Sequence, residues 1–409
     1  MKSERGSITL FVLIAMLFFI GVSLSAYISA MNKLQGQNEE LAQIKQSYEQ
    51  ELDDQSLQTL YDKLTSEYFE ESSTINGESP SSNNPTIPAG FKPVDTETSS
   101  WGDGTTAPTE EAVNAGLVIE DEDGNQFVWI PVDGTNLKYE KHTYETTSVE
   151  DTVLTADTGN GNWPTYYYRN YSDWTDDGGN SVSVAKYGGF YVARYEAGVP
   201  EDESFYASED GDTYYTDSKN VTTYIPVSKQ GVPVWNYISQ ENALEVSSKM
   251  YNTSSVKSSL IDSYAWDTIT QWLSNSNYDV TDSRTYGNYY DVSFTFNGLY
   301  ATHIYESSST SVVSTYSKGE KTKATNERTE TATGVSERNK TNNIYDFAGN
   351  MWEWTTEVGL HGESTTEYAV LRGGCFSDDI HAPVSTRSGY YSTDSSGFSW
   401  GFRVVLYLN

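Results

Sequence analysis

Nine residues near the C-terminus constrain this chain more than any other stretch. Asp346 to Trp354 reads DFAGNMWEW, with two tryptophans, an Asp and a Glu set around Gly349. Glycine takes a tight or left-handed turn without a Cβ penalty. Asp346 and Glu353 flank the turn seven residues apart. A carboxylate on each side of such a turn, with main-chain carbonyls between them, can wrap a hard cation such as Ca2+. The same residues suit a Trp-anchored core turn whose acids face water. Spacing alone leaves both readings open.

Two more blocks follow, VLRGG at 370–374 and GFRVV at 401–405. With DFAGNMWEW they resemble the C-terminal signature of the formylglycine-generating-enzyme family, the sulfatase-modifying-factor domain. The resemblance implies an α+β domain of the C-type lectin-like fold. FVWIPV at 127–132 resembles the family's opening strand. KYGGFYVARYEAG at 186–198 resembles its second landmark, a strand ending in Arg-Tyr-Glu. Arg194 and Glu196, two apart on one face of that strand, read as an internal ion pair or as a pair of which one reaches a ligand. The resemblance also implies a structural Ca2+ in the turn. Its ligands would be the side chains of Asp346 and Glu353 and the carbonyls of Gly349 and Met351.

The catalytic residues of the family do not carry over. Those enzymes hold copper with a pair of cysteines shortly after the Gly-Gly motif. This chain has one cysteine, Cys375, directly after Gly374. One thiol makes neither a bis-thiolate site, nor an intrachain disulfide, nor a Cys-based zinc site. Iron-dependent members of the superfamily use three histidines. The four here, His142, His303, His361 and His381, share no ligand spacing. The expectation is therefore a domain without catalytic residues. A metal-dependent oxidase is the alternative.

What lies between RGG and GFR is chemically mixed. The candidate ligand-binding residues are Phe376, Ser377, Asp378, Asp379, Ile380, His381, Tyr390, Tyr391, Ser392, Thr393, Asp394, Phe398 and Trp400. Aromatics among short polar residues suit a face for an external protein or glycan ligand. From Cys375 to Ser399 there is no Lys, Glu, Gln, Met or Trp. Codons ending in C or T never encode those residues. In this the segment resembles the variable C-terminus of retroelement-diversified proteins, which use the same lectin-type fold as a binding platform. The net charge of −33, from 58 acids against 25 bases, argues against a nucleic-acid partner and suits an extracellular surface.

The chain begins with Lys2 and Arg5 ahead of an apolar stretch over most of Ile8 to Ile28. About 20 apolar residues span a bilayer as a helix. The preceding charges place the N-terminus in the cytoplasm. Gly6-Ser7 before this run resembles the processing site of a type IV prepilin, although Phe11 stands where that family has Glu. A cleaved signal peptide is the rival reading. The expected organisation is a long hydrophobic and amphipathic helix with its stalk at 1–69, a Ser/Pro/Asn-rich linker, or an extended arm on the surface of the next domain, at 70–110, and the lectin-like domain at 111–409. This describes a single-pass protein of a bacterial cell surface. The prepilin resemblance adds the alternative of a structural subunit with pilin-like filament partners.

Within the domain, helices are expected at 239–250, capped by Ser239, and at 258–275. Long surface loops are expected over 133–184. The charged stretch KGEKTKATNERTETATG at 318–334 reads as a solvated loop.

Overall fold

The last strand of the chain lies inside the main sheet, and its composition explains why. Val404–Leu408 reads VVLYL, and every residue is buried. A strand apolar on both faces must be covered on both. Val405 and Tyr407 enter one core, while Val404, Leu406 and Leu408 enter the other. The computed structural model describes residues 68–141, 166–167, 180–200, 220–298, 302–305, 312–316, 319–361 and 367–409. The apolar run, Gly6, Ser7 and the stalk to residue 67 lie outside the described residues, as does His142.

The principal elements, in chain order, are β1 (Phe91–Val94), β2 (Val118–Asp121), β3 (Gln126–Pro131), α1 (Asn180–Tyr187), β4 (Gly189–Ala193), α2 (Gln240–Met250), β5 (Val256–Leu260), α3 (Ser263–Asn275), β6 (Phe294–Gly298), β7 (Gly319–Lys323), β8 (Trp352–His361), β9 (Glu367–Arg372), β10 (Arg387–Tyr391), β11 (Trp400–Phe402) and β12 (Val404–Leu408). The main sheet has the order β1-β2-β3-β4-β12-β5 and is antiparallel throughout. The second has the order β10-β9-β8-β11, with β8 and β11 parallel. Strands dominate and the helices are few, so the described fold is α+β.

Alternation along β3 assigns its side chains to the two cores. Phe127 and Trp129 pack with α2 and with Trp354, Leu371 and Phe402 of the second sheet. Val128 and Ile130 pack with Trp266, Ile269, Trp272 and Leu273 of α3. The second sheet is thus fastened to one face of the first.

Several sequence expectations are corrected here. Residues 70–110 are not a linker: Ile87, Phe91 and Trp101 are buried in the core, and β1 forms the sheet edge. Composition misleads there because three large apolar anchors suffice to pin a polar stretch. The helix expected from Ser258 starts at Ser263. Ser258 to Leu260 lie in β5, which pairs with β12, so tertiary pairing overrides the local helical pattern. Asp262 caps α3 by accepting from the Ala265 N–H at 2.7 Å. Ser239 caps α2 as expected. Part of the expected loop at 133–184 is α1.

The charged stretch is also not simply solvated. Its first part is β7, paired with β6. Lys323 is fully buried and donates to the carbonyls of Tyr289 and Val292, both at 2.7 Å. Burial pushes its ammonium down to about 8.

Candidate functional site

The DFAGNMWEW turn is built from left-handed residues. Asp346, Gly349 and Asn350 have φ of 51°, 72° and 59°. At Gly349 the requirement is also spatial, because an added Cβ would lie 2.4 Å from the Asn288 carbonyl oxygen. Asn350 is the hub of the turn. Its Oδ1 accepts from Asn288 Nδ2 at 3.0 Å and from the Thr331 N–H at 3.1 Å. Its Nδ2 donates to Glu196 at 2.6 Å. Asn350 is fully buried, and nothing in its spacing marked it beforehand.

The acids of the turn face inward rather than toward water. Glu353 is buried and accepts from Arg403, Nε to Oε2 at 3.0 Å and Nη2 to Oε1 at 2.6 Å. Asp346 accepts from the Gly334 N–H at 2.7 Å and from Asn339 Nδ2 at 3.1 Å. Glu196 joins them, held by Asn350 and by the Met351 N–H at 3.1 Å. Desolvation raises all three carboxyls, Asp346 to about 6 and Glu196 well above its ordinary value. Repulsion from Asp346 and Glu353 pushes Glu196 up further.

These contacts decide the fit of a cation. Each carboxylate oxygen of Asp346 and Glu353 already accepts from a protein donor. Among the described residues, no group of three or more His, Cys, Asp or Glu is placed to hold a metal ion. Arg403 already brings a positive charge to Glu353, so a Ca2+ on Asp346, Gly349, Met351 and Glu353 would have to compete with these donors. The expected Arg194–Glu196 pair is absent: Arg194 binds Gln126 and the Asn343 carbonyl, on different partners from Glu196.

Beyond the turn, the candidate ligand-binding segment divides in two. Phe376 is fully buried with Val234 and Met351, and Phe398 packs on it edge-on at 5.8 Å. This corrects Phe376 from surface to core. The Asp378 carboxylate turns back to accept from the Cys375 N–H at 2.9 Å, and the Asp378 carbonyl accepts from the Tyr290 N–H at 2.7 Å. Ser377 accepts from Arg328 at 3.0 Å. At Gly374, φ of 73°, an added Cβ would meet the Ala382 carbonyl oxygen at 2.1 Å.

The flanks are clamped to α3. Arg372 pairs with Asp267 at 2.9 Å, both fully buried. Arg387 pairs with the same Asp267 and with Glu357.

Against this base, Ile380, His381, Tyr391, Ser392 and Asp394 are exposed. Asp379 and Thr393 are half-buried, and Thr393 donates to Glu241 at the start of α2 at 2.5 Å. Trp400 is half-buried between the core ring of Trp354, at 5.4 Å, and the exposed ring of Tyr391, at 4.1 Å. Tyr390 is placed by its backbone alone, as are His303 and His361.

Cys375 is buried, and burial pushes its thiol well up, away from the nucleophilic and metal-binding thiolate.

Residues 277–408 match the sulfatase-modifying factor enzyme 1-like domain family. No curated protein matches the chain. Among solved structures, that titled Crystal Structure of CarF is 12% identical with a TM-score of 0.31, over 54% of this chain and 87% of the other. The Major Tropism Determinant P3c variant is 13% identical with a TM-score of 0.27, over 54% of this chain and 50% of the other.

Proposed function

We propose that this domain is a non-catalytic binding module of lectin-like type, whose 376–400 segment receives an external protein or glycan. The observation that carries the reading is the division of that segment. Phe376, Asp378, Arg387 and Phe398 are tied to the domain. Ile380, His381, Tyr391, Ser392 and Asp394 are held outward on that base. Ile380 and Tyr391 are two of the four exposed large hydrophobic side chains among the described residues. A tyrosine ring already packed against Trp400 has little freedom left to lose on binding, which favours it as an anchor.

An oxidase is the reading to be weighed against this, since a sulfatase-modifying-factor domain matches. The buried, protonated, solitary Cys375 counts against it. The basic residues ahead of the apolar run at 8–28 support display on the outside of a bacterial membrane, anchored by that run. The absence of Lys, Glu, Gln, Met and Trp from 375–399 supports a segment diversified at the level of its codons.

The test uses the full chain in detergent micelles on arrays of glycans and cell-surface proteins. The parent is expected to capture at least one array component. The variant carrying Ile380→Ser and Tyr391→Ser is expected to lose it with an unchanged melting temperature. A parent that captures nothing, and that oxidises thiol substrates in a manner lost in Cys375→Ser, contradicts the proposal.

A further inference from the structure

A cavity of about 710 Å³ opens where the β2–β3 turn, the loop after β1 and residues 337–345 meet. It shares no residue with the segment at 376–400. Arg194 is among the residues that line it and is 9% exposed. Its guanidinium lies over the rings of Tyr195 and Tyr345, 5.6 and 5.3 Å from their centroids. Those rings stack on each other at 5.2 Å and are both buried. Nε donates to the Asn343 carbonyl at 3.1 Å, and Nη1 to Gln126 Oε1 at 2.7 Å. The Nη2 edge has no protein partner among the described residues. A guanidinium fixed by two rings and two acceptors, with one edge left over, is a preorganised half of a fork for a carboxylate.

The other charges of the cavity fix the remainder of the ligand. Lys340 is taken by Glu337 at 2.5 Å. Asp95 uses one carboxylate oxygen, Oδ1, to accept from the Trp101 N–H at 2.7 Å. Glu97 has no hydrogen-bonding or ionic partner among the described residues. Asp95 and Glu97 are both exposed. The cavity is thus lined by one guanidinium edge without a protein acceptor among the described residues and, at its exposed rim, by Asp95 and Glu97, while Glu337, paired with Lys340, also draws on Arg194 electrostatically. A simple anion would be repelled by the rim and by the chain's net charge of −33. A simple cation would meet Arg194. A molecule carrying both charges meets neither objection.

We propose that this cavity binds a small zwitterion of the α-amino-acid class, free or as a dipeptide. Its carboxylate sits on the Nη2 edge of Arg194 and its ammonium toward Asp95 and Glu97. The experiment titrates the full chain with the standard L-amino acids one at a time, and then with dipeptides, by calorimetry and thermal shift. Saturable binding of at least one compound is expected, and which arm responds separates free amino acids from peptide ends. The N-acetyl and the carboxamide forms of that compound should each bind about tenfold or more weakly, as should the Arg194→Gln variant. Asp95→Asn with Glu97→Gln changes exposed residues, should melt as the parent does, and should weaken binding about tenfold. If Arg194→Gln does not fold, the rim variant and the blocked ligands decide. Failure of every amino acid and dipeptide to bind overturns the proposal. So does equal binding of acetate, glucuronate or the blocked forms, or parent-like binding by the rim variant.

Discussion

The turn at 346–353 and the segment at 376–400 touch each other, yet they are built by opposite rules. In the turn the side chains of Asp346, Asn350 and Glu353 are all hydrogen-bonded: Asn350 alone ties together Asn288, Thr331 and Glu196. In the segment the inward side chains are equally committed, while the outward ones bond mainly to near neighbours, as Ser392 does to Asp394. The two regions meet at a small apolar cluster, Phe376 on Met351, at backbone bonds from the Phe376 N–H to the Asn350 carbonyl and from the Trp352 N–H to the Ser399 carbonyl, and where Trp352 pairs with Trp400 along β8 and β11. A base that is over-determined frees the surface above it from any structural duty. Sequence can then change in one place without changing the fold in the other.

The largest effect that would break this comparison lies in the turn. Arg403→Met leaves Glu353 buried without its counter-charge, and loss of one partner of a buried pair costs about 3–5 kcal/mol. Denaturant unfolding should report a loss of that size, or no folded protein. Phe376→Ala tests the inward half of the segment. Truncating a fully buried Phe costs about 3–5 kcal/mol, against a change within about 0.5 kcal/mol for Ile380→Ser on the outward half. Equal losses at the two positions would erase the division.

The buried acids give a signature in pH. Asp346 holds its proton up to about 6 in the folded domain, whereas an unfolded Asp releases it near its ordinary value of about 4. Between those two points the folded state binds more protons, so stability falls as pH rises and flattens above the folded value. Glu196, raised further, extends the fall toward neutrality. The melting temperature should therefore be higher at pH 5 than at pH 7. A tenfold difference in proton affinity between folded and unfolded states is worth about 1.4 kcal/mol, so the gain is on the order of 1–3 kcal/mol. Asp346→Asn should shallow the slope. The smallest expected effect is none: adding Ca2+ or EDTA should leave the melting temperature unchanged, because Arg403 already neutralises Glu353.

Much of the architecture was legible in the residues. The Ser239 cap and the body of α3 follow from capping chemistry and apolar pattern, and those local rules won. The role of Arg403 did not follow, although the GFRVV block was conspicuous, because its partner lies 50 residues away. A carboxylate read from spacing looks the same whether it awaits a cation or an arginine. Phe376 was misread for a related reason. In a segment of mixed composition nothing local separates the residues that point in from those that point out. Residues 70–110 were misread because three anchors decide burial while the many polar residues around them decide composition.

The division between base and displayed surface is open to one direct measurement. Each position from 376 to 400 is replaced by every residue, the full chain is expressed on cells, and folded display is scored position by position. The account predicts that Ile380, His381, Tyr391, Ser392 and Asp394 accept nearly any substitution, while Phe376, Asp378, Arg387 and Phe398 accept few. Uniform intolerance across the segment, or tolerance at Phe376 and Arg387 equal to that at Ile380 and Asp394, would contradict it.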